Sequence, residues 1–250
     1  MGYIIALAGK GGTGKTTVAA LIVRIIKEKG LGSILAVDAD PNSNLSEALG
    51  MESKETIGRI LDDIATHPQK IPSGMTKDRF IEYQVQSAVA EADGFDVLTM
   101  GKPEGPGCYC YVNNVLRNIM AKLIKDYDYI VIDNEAGLEH LSRRTTRTAD
   151  CLVIISDATV VGIKAAGRIK DLADELDVKI KKRALIINRW DKDIENERIK
   201  NLKSDYAGSL PYDNEIERIS LDGNSMLDLK NDAPSLTSLS KILEKIFQES

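Results

Sequence analysis

The chain is 250 residues long with 43% apolar and 28% charged side chains, an ordinary globular composition with length enough for one large, well-buried α/β core. Thirty-three basic and 38 acidic residues leave a formal charge of −5, and the lack of a basic tail or a long single-sign run argues against a dedicated nucleic-acid binder. No apolar run reaches the roughly 18 residues of a membrane span, and the N-terminus lacks the basic region, apolar run and cleavage site of a signal peptide, so the cytoplasm is the expected location.

Residues 3–8 (YIIALA) form a continuous apolar run, the signature of a parallel strand buried on both faces. Beyond a glycine-rich loop, Thr16 to Lys29 has helical periodicity and stops at Gly30, a favoured C-cap residue. A second strand, Ser33 to Val37, ends in DADPNSN, where Asp, Pro and Asn mark a loop. Strand, helix, strand at this spacing is a βαβ unit, and its right-handed crossover implies a parallel sheet. Helices are expected over 56–66 and 77–92, then a strand over Phe95 to Met100 and the Gly/Pro-rich loop GKPEGPGCYC. The pattern continues with a helix from Val112 to Lys125 and strands at Tyr129 to Asp133, Cys151 to Ser156 and Ala184 to Asn188. A short strand before Pro211 and an amphipathic helix over Ser235 to Phe247 close the chain. With no repeat, low-complexity tract or linker, 1–250 reads as a single α/β domain, doubly wound around a mostly parallel sheet, with active loops at the carboxyl ends of its strands.

Gly9 to Thr16 (GKGGTGKT) matches the G-x-x-x-x-G-K-[ST] phosphate loop and lies between a strand and a helix, the context that supports the motif. Gly9, Gly11, Gly12 and Gly14 let the backbone curl so that its N–H groups, including those of Lys10 and Thr13, converge on phosphate oxygens. The following helix adds its positive dipole end, with Thr17 in its first turn. Lys15 is placed to reach the β- and γ-phosphates of ATP, and the Thr16 hydroxyl to ligate Mg²⁺. Asp133, after YIVI, fits an aspartate that holds the Mg²⁺ water shell, and Asp38 is expected to support that shell with it. Asp38 and Asp40 follow ILAV. Either one orients the attacking water beside the γ-phosphate, or it caps the next turn, a reading weightier for Asp38 than for Asp40.

The second loop residue, Lys10, gives KGGTGKT, which resembles the deviant phosphate loop of the nitrogenase iron protein, MinD and ParA group. The resemblance implies that Lys10 crosses a homodimer interface to the partner's phosphates. DADPNSNL resembles that group's switch I, with Asp40 serving the hydrolytic water, and IDNEAGLEHL, from Ile132, its switch II. Asn188 resembles the adenine-reading residue, and Pro211–Tyr212–Asp213 the stretch that closes over the base.

Cys108 and Cys110 stand as C-x-C in a Gly/Pro-rich loop after a predicted strand. Two such thiols ligate one soft or borderline metal but supply only half of a tetrahedral sulfur site. A two-fold dimer would supply the other half; the alternative is two unrelated thiols packed as small apolar residues. Cys151 opens an apolar strand and reads as core; His67 sits in a surface turn; His140 falls in the switch II stretch, where transmitting nucleotide state and plain packing are both open readings. Together, KGGTGKT, DADPNSNL, GPGCYC and DNEAGLEHL resemble the CooC/AcsF family, ATPases that mature nickel enzymes of the carbon monoxide dehydrogenase/acetyl-CoA synthase system. The resemblance implies a homodimer binding Ni²⁺ or Zn²⁺ through Cys108 and Cys110, and one of those nickel enzymes as client. Asn134 departs from the hydrophobic residue expected there. Rival readings are an iron–sulfur electron-transfer ATPase, a MinD/ParA-like positioning ATPase and a purely structural zinc dimer with vestigial hydrolysis. For the positioning ATPase, Leu239, Ile242, Leu243, Ile246 and Phe247 share one face of the last helix; it is short and carries few basic residues, so docking on the protein's own core is expected rather than a stable membrane anchor.

Overall fold

The computed structural model describes residues 2–52, 55–101, 110–135, 148–176, 178–192, 194 and 197–248, with backbone alone for 110–115 and 204. The strands β1 (Tyr3–Gly9), β2 (Ile34–Ala39), β3 (Ala90–Ala92), β4 (Phe95–Thr99), β5 (Tyr129–Asn134), β6 (Thr148–Ser156), β7 (Lys179–Ile187) and β8 (Tyr206–Ser209) form one sheet in the order β3-β4-β2-β5-β1-β6-β7-β8. Every neighbouring pair is parallel except β3 with β4. Next to β1 the winding reverses, since the chain first builds toward β4 and later toward β8. Such a switch point opens a crevice outside the carboxyl ends of the strands, where ligands sit in open α/β sheets.

Strand alternation sends side chains to two cores. Ile4, Ala6 and Ala8 face a layer that includes α3 (Ile57–Thr66), α4 (Lys77–Ser87), α5 (Cys110–Leu123) and α6 (Val160–Glu175). Ile5 and Leu7 face α1 (Lys15–Glu28) and α8 (Pro234–Gln248) on the other side. In α8, Leu239, Ile242, Leu243 and Ile246 are buried, each burial stabilising by roughly 1.5–3 kcal/mol. Phe247 adds edge-on ring contacts to Tyr3 and Tyr129 at 5.5 and 5.6 Å. The amphipathic stripe of this last helix is therefore consumed by the protein's own core. Among the described residues no helix is long and apolar enough to cross a membrane.

Two expectations need correction, and one helix is new. The helix expected over 77–92 stops at Ser87, because Ala90–Ala92 turns into strand β3 and pairs back on β4 across Asp93–Gly94, with Gly94 at φ 81°. Strands β6 and β7 start at Thr148 and Lys179, earlier than their apolar runs, since their amino ends are polar and partly exposed. Helix α6 was not foreseen; Gly162 and Gly167 dilute its apolar face, while the Thr159 hydroxyl caps it by accepting the Gly162 N–H.

Candidate functional site

Most of the longer helices begin with a side-chain cap: Thr56, Thr76 and Thr159 on α3, α4 and α6, and Asp213 on α7 (Asn214–Asp222). Helix α1 does not. Its N-cap is Gly14 in the left-handed region (φ 91°), with no side-chain cap and no acidic residue in its first turn. An α-helix leaves its first N–H groups without intrahelical partners, and a phosphate supplies both the missing acceptors and the favoured charge. The glycines before it are required by space as well as by torsion. A Cβ on Gly9 would lie 2.3 Å from the Ile155 carbonyl oxygen, and Gly12 sits at φ 79°. Thr13, 3% exposed, ties the curl together by donating its hydroxyl to the Lys10 carbonyl at 2.8 Å. Lys15 is buried at the start of α1, whereas Lys10 is exposed on the rim.

Beside this loop the in-register strands β2 and β5 bring Asp38 and Asp133 to adjacent positions on one face. Both are buried. The Thr16 hydroxyl donates to Asp133 Oδ2 at 2.6 Å, while among the described residues Asp133 Oδ1 has no hydrogen-bond partner. Burial pushes the Asp133 carboxyl up to about 6, against the Thr16 hydrogen bond and the Lys15 charge. Asp38 rises further, to about 7, chiefly through burial and with a contribution from Asp133. Its two oxygens accept backbone N–H groups, Leu45 at 2.8 Å and Asp40 at 3.2 Å, so Asp38 holds the start of the short helix α2 (Leu45–Ala48). Asp40 Oδ1 accepts both the backbone and side-chain N–H of Asn42 at 2.9 Å. Both aspartates of the DADP stretch thus carry turn duties, whatever else they do. A buried carboxylate beside the Thr16 hydroxyl offers the oxygen ligands that fit Mg²⁺ held through water.

Asn134 extends this polar pocket. It donates Nδ2 to the Leu7 carbonyl at 2.9 Å, and its Oδ1 is buried without a partner among the described residues. Residues 136–141 of the switch II stretch, His140 included, lie outside the described residues.

On the other flank of the loop is a cavity of about 280 Å³ lined by Gly14, Thr17, Asn188, Pro211, Tyr212 and Asp213, among others. Asn188 follows β7, donates its backbone N–H to the Ser156 carbonyl, and precedes Arg189 at φ 57°. The structure brings Asn188 and Pro211 together with Thr17 in the lining of this cavity. Sequence reading did not foresee where the Asn188 amide points: Nδ2 donates to the Thr13 carbonyl of the phosphate loop at 2.8 Å. Tyr212 donates its hydroxyl to Glu217 Oε2 at 2.5 Å, closing the outer rim.

The end of β2 and the segment that follows it are also joined to β4 and the residue after it. The Met100 N–H donates to the Asp38 carbonyl at 2.8 Å, and the Ser46 and Thr99 hydroxyls meet at 3.1 Å in the core. From Gly101 the chain runs on to Cys108, which lies outside the described residues, and Cys110 opens α5. Among the described residues no group of three or more His, Cys, Asp or Glu side chains could hold a metal ion. Cys151 is buried on β6, and burial pushes its thiol up to about 12. His67 sits at the surface beside Asp63, at 3.0 Å.

Comparison with known proteins agrees with this geometry. The chain is similar to an uncharacterized ATP-binding protein of Methanocaldococcus jannaschii, 42% identical over 251 residues, which cover 98% of this chain and 99% of that one. It is more distantly similar to the carbon monoxide dehydrogenase accessory protein CooC of Rhodospirillum rubrum, 28% identical over 238 residues (90% and 89% of the two chains). The cell division ATPase MinD of Pyrococcus furiosus shares the fold, with a TM-score of 0.73 at 22% identity and full coverage of both chains. The model of the CobQ/CobB/MinD/ParA nucleotide-binding domain matches residues 4–226. With its phosphate loop, paired carboxylates and base-sized cavity at the switch point of the sheet, the chain is a P-loop ATPase and belongs to the CobQ/CobB/MinD/ParA nucleotide-binding family.

Proposed function

We propose that this ATPase works as a homodimeric metallochaperone, with residues 1–250 acting as one domain. It takes Ni²⁺, or Zn²⁺ in its place, as cargo on Cys108 and Cys110 and passes nickel to a carbon monoxide dehydrogenase or acetyl-CoA synthase. The observation that carries the reading is the C-x-C pair on the chain leaving β4, in a protein whose similarity extends to CooC. Switch I is bonded to the end of that same strand, so a change at the γ-phosphate has a physical path toward the thiols. Two thiolates from each of two copies complete a tetrahedral sulfur site.

In the hydrolytic step, Lys15 and the uncapped start of α1 hold the β- and γ-phosphates. Thr16 and Asp133, with Asp38 behind them, would hold Mg²⁺ through water, and the ion would offset phosphate charge when bound. Asp40 turns its second oxygen to the attacking water. Lys10, exposed on the rim, reaches the phosphates of the partner copy and stabilises charge in the transition state.

The MinD-like fold favours a second reading, a positioning ATPase that cycles on a surface. Equilibrium dialysis with Ni²⁺ and Zn²⁺, run without nucleotide and with ADP or ATP, separates the two. The chaperone reading expects one metal per dimer and its loss in Cys108→Ala/Cys110→Ala. Full metal affinity in that double variant, or ATP-dependent sedimentation with liposomes and no metal binding, overturns it.

A further inference from the structure

Asn188 stands where the base is expected, yet its side chain is committed to the phosphate loop. Nδ2 donates to the Thr13 carbonyl at 2.8 Å, and Oδ1 accepts the Arg189 N–H at 3.0 Å. The two contacts fix the amide's rotation. The packing leaves no slack, since a Cβ on Gly14 would lie 2.5 Å from Nδ2. The Thr13–Gly14 peptide plane is bounded on one side by Gly14, at φ 91°, a torsion that a glycine can reverse at little cost.

We propose that Asn188 is a positioning residue for phosphoryl transfer, acting through the Thr13–Gly14 peptide rather than only on the base. In a planar trans peptide the C=O and the following N–H point to opposite sides. Holding the Thr13 oxygen toward β7 therefore turns the Gly14 N–H to the concave side of the loop, where phosphate oxygens need donors. Released from the amide, the buried Thr13 carbonyl loses its partner, and the peptide is free to rotate and present oxygen to the phosphates. Because Asn188 also lines the base cavity, one side chain links an occupied base site to a correctly turned loop. The inference rests on ATP hydrolysis alone and is independent of any metal cargo.

Steady-state hydrolysis separates the two roles of Asn188. A residue that only reads the base raises KM for ATP and leaves kcat intact. A positioning residue lowers kcat at saturation, because the misplaced donor matters most in the transition state. Asn188→Ala is expected to lower kcat about tenfold, the scale of one lost hydrogen bond to a charged group. Asn188→Asp, which sets a carboxylate oxygen against the Thr13 carbonyl, lowers it further. The same fold-loss is expected with inosine triphosphate, whose base lacks the amino group of adenine. Thermal melts show whether each variant is folded. If alanine unfolds the chain, Asn188→Ser, which keeps a hydroxyl donor, is read on the same axes and falls between wild type and Asn188→Asp. An unchanged kcat in a folded variant, or a loss confined to ATP and absent with inosine triphosphate, overturns the proposal.

Discussion

Asp128 and Asp133 flank the two ends of one strand, and the molecule treats them in opposite ways. At the amino end of β5, Asp128 Oδ2 accepts the Ser33 N–H at 2.9 Å and the Ser33 hydroxyl at 3.0 Å, which lower its carboxyl below the usual range. The fit is close: Gly32, at φ 140°, has its Cα so near that a Cβ would lie 2.4 Å from the same oxygen. At the carboxyl end, Asp133 is buried beside a second buried aspartate, with one oxygen unmatched among the described residues, and its carboxyl is pushed up to about 6. A buried polar atom without a partner is a cost to the folded state. The amino edge of the sheet is thus completed by the chain itself. At the carboxyl edge, among the described residues, Asp133 Oδ1 and Asn134 Oδ1 are buried without a hydrogen-bond partner.

Removing the charge at each end should part stability from activity. Asp133→Asn keeps an oxygen for the Thr16 hydroxyl and relieves the repulsion with Asp38. Hydrolysis at saturating Mg-ATP is expected to fall on the order of a hundredfold, while the melting temperature of the nucleotide-free protein holds or rises. Asp128→Ala is expected to do the reverse, lowering the melting temperature and leaving kcat unchanged. A destabilised Asp133→Asn protein would break the comparison, since it would mean that the carboxylate is satisfied without ligand.

Acidity sharpens the same contrast. Asp38 and Asp133 rise from the ordinary 3.8 to about 7 and about 6, so the folded protein keeps protons that the unfolded chain has released. Their contribution to stability is therefore full below about pH 4 and is lost as pH climbs through about 6 and 7. For Asp38 alone the span of about three pKa units corresponds to at most roughly 4 kcal/mol. Carboxyls held low, such as Asp63, Asp128 and Glu244, finish their titration at lower pH and act in the opposite sense. Urea unfolding of the nucleotide-free protein should show stability decreasing from about pH 5.5 to about pH 7.5, with a flatter slope in Mg-ADP. A flat or rising profile without nucleotide contradicts the buried, unmatched pair.

How much of this could be read from the residues alone follows from how local each signal is. The phosphate loop was legible because its eight residues are contiguous and sit between a strand and a helix. Asp133 was legible because an apolar run ends in a charge. The Asn188 contact was not, since 175 residues separate it from Thr13 and only the β1-β6-β7 adjacency brings them together. Strand β3 was hidden under a helical pattern although Asp93–Gly94 carried a hairpin signal. The polar amino ends of β6 and β7 were lost because sheet pairing, not hydrophobicity, holds them. Cys108 and the switch II residues after Glu135 fall outside the described residues.

The smallest expected effect lies between the two ends, where Ser46 and Thr99 meet. Both hydroxyls are buried, Ser46 at 2% and Thr99 at 5% exposure. Thr99→Val preserves shape and removes one hydroxyl, leaving Ser46 without its partner at a cost of about 1 kcal/mol. Hydrolysis should be unaffected, because Asp38 keeps both of its backbone N–H donors from the loop it caps. What should change is communication. In wild type, exchanging ADP for an ATP analogue is expected to alter hydrogen exchange at the Val97–Met100 amides, since switch I is bonded to β4 through Ser46 and through the Asp38 carbonyl. In Thr99→Val that response should shrink, with the Met100 N–H still bonded to Asp38. If the response is the same in both proteins, the hydroxyl pair is packing alone, and the nucleotide end reaches β4 through its backbone.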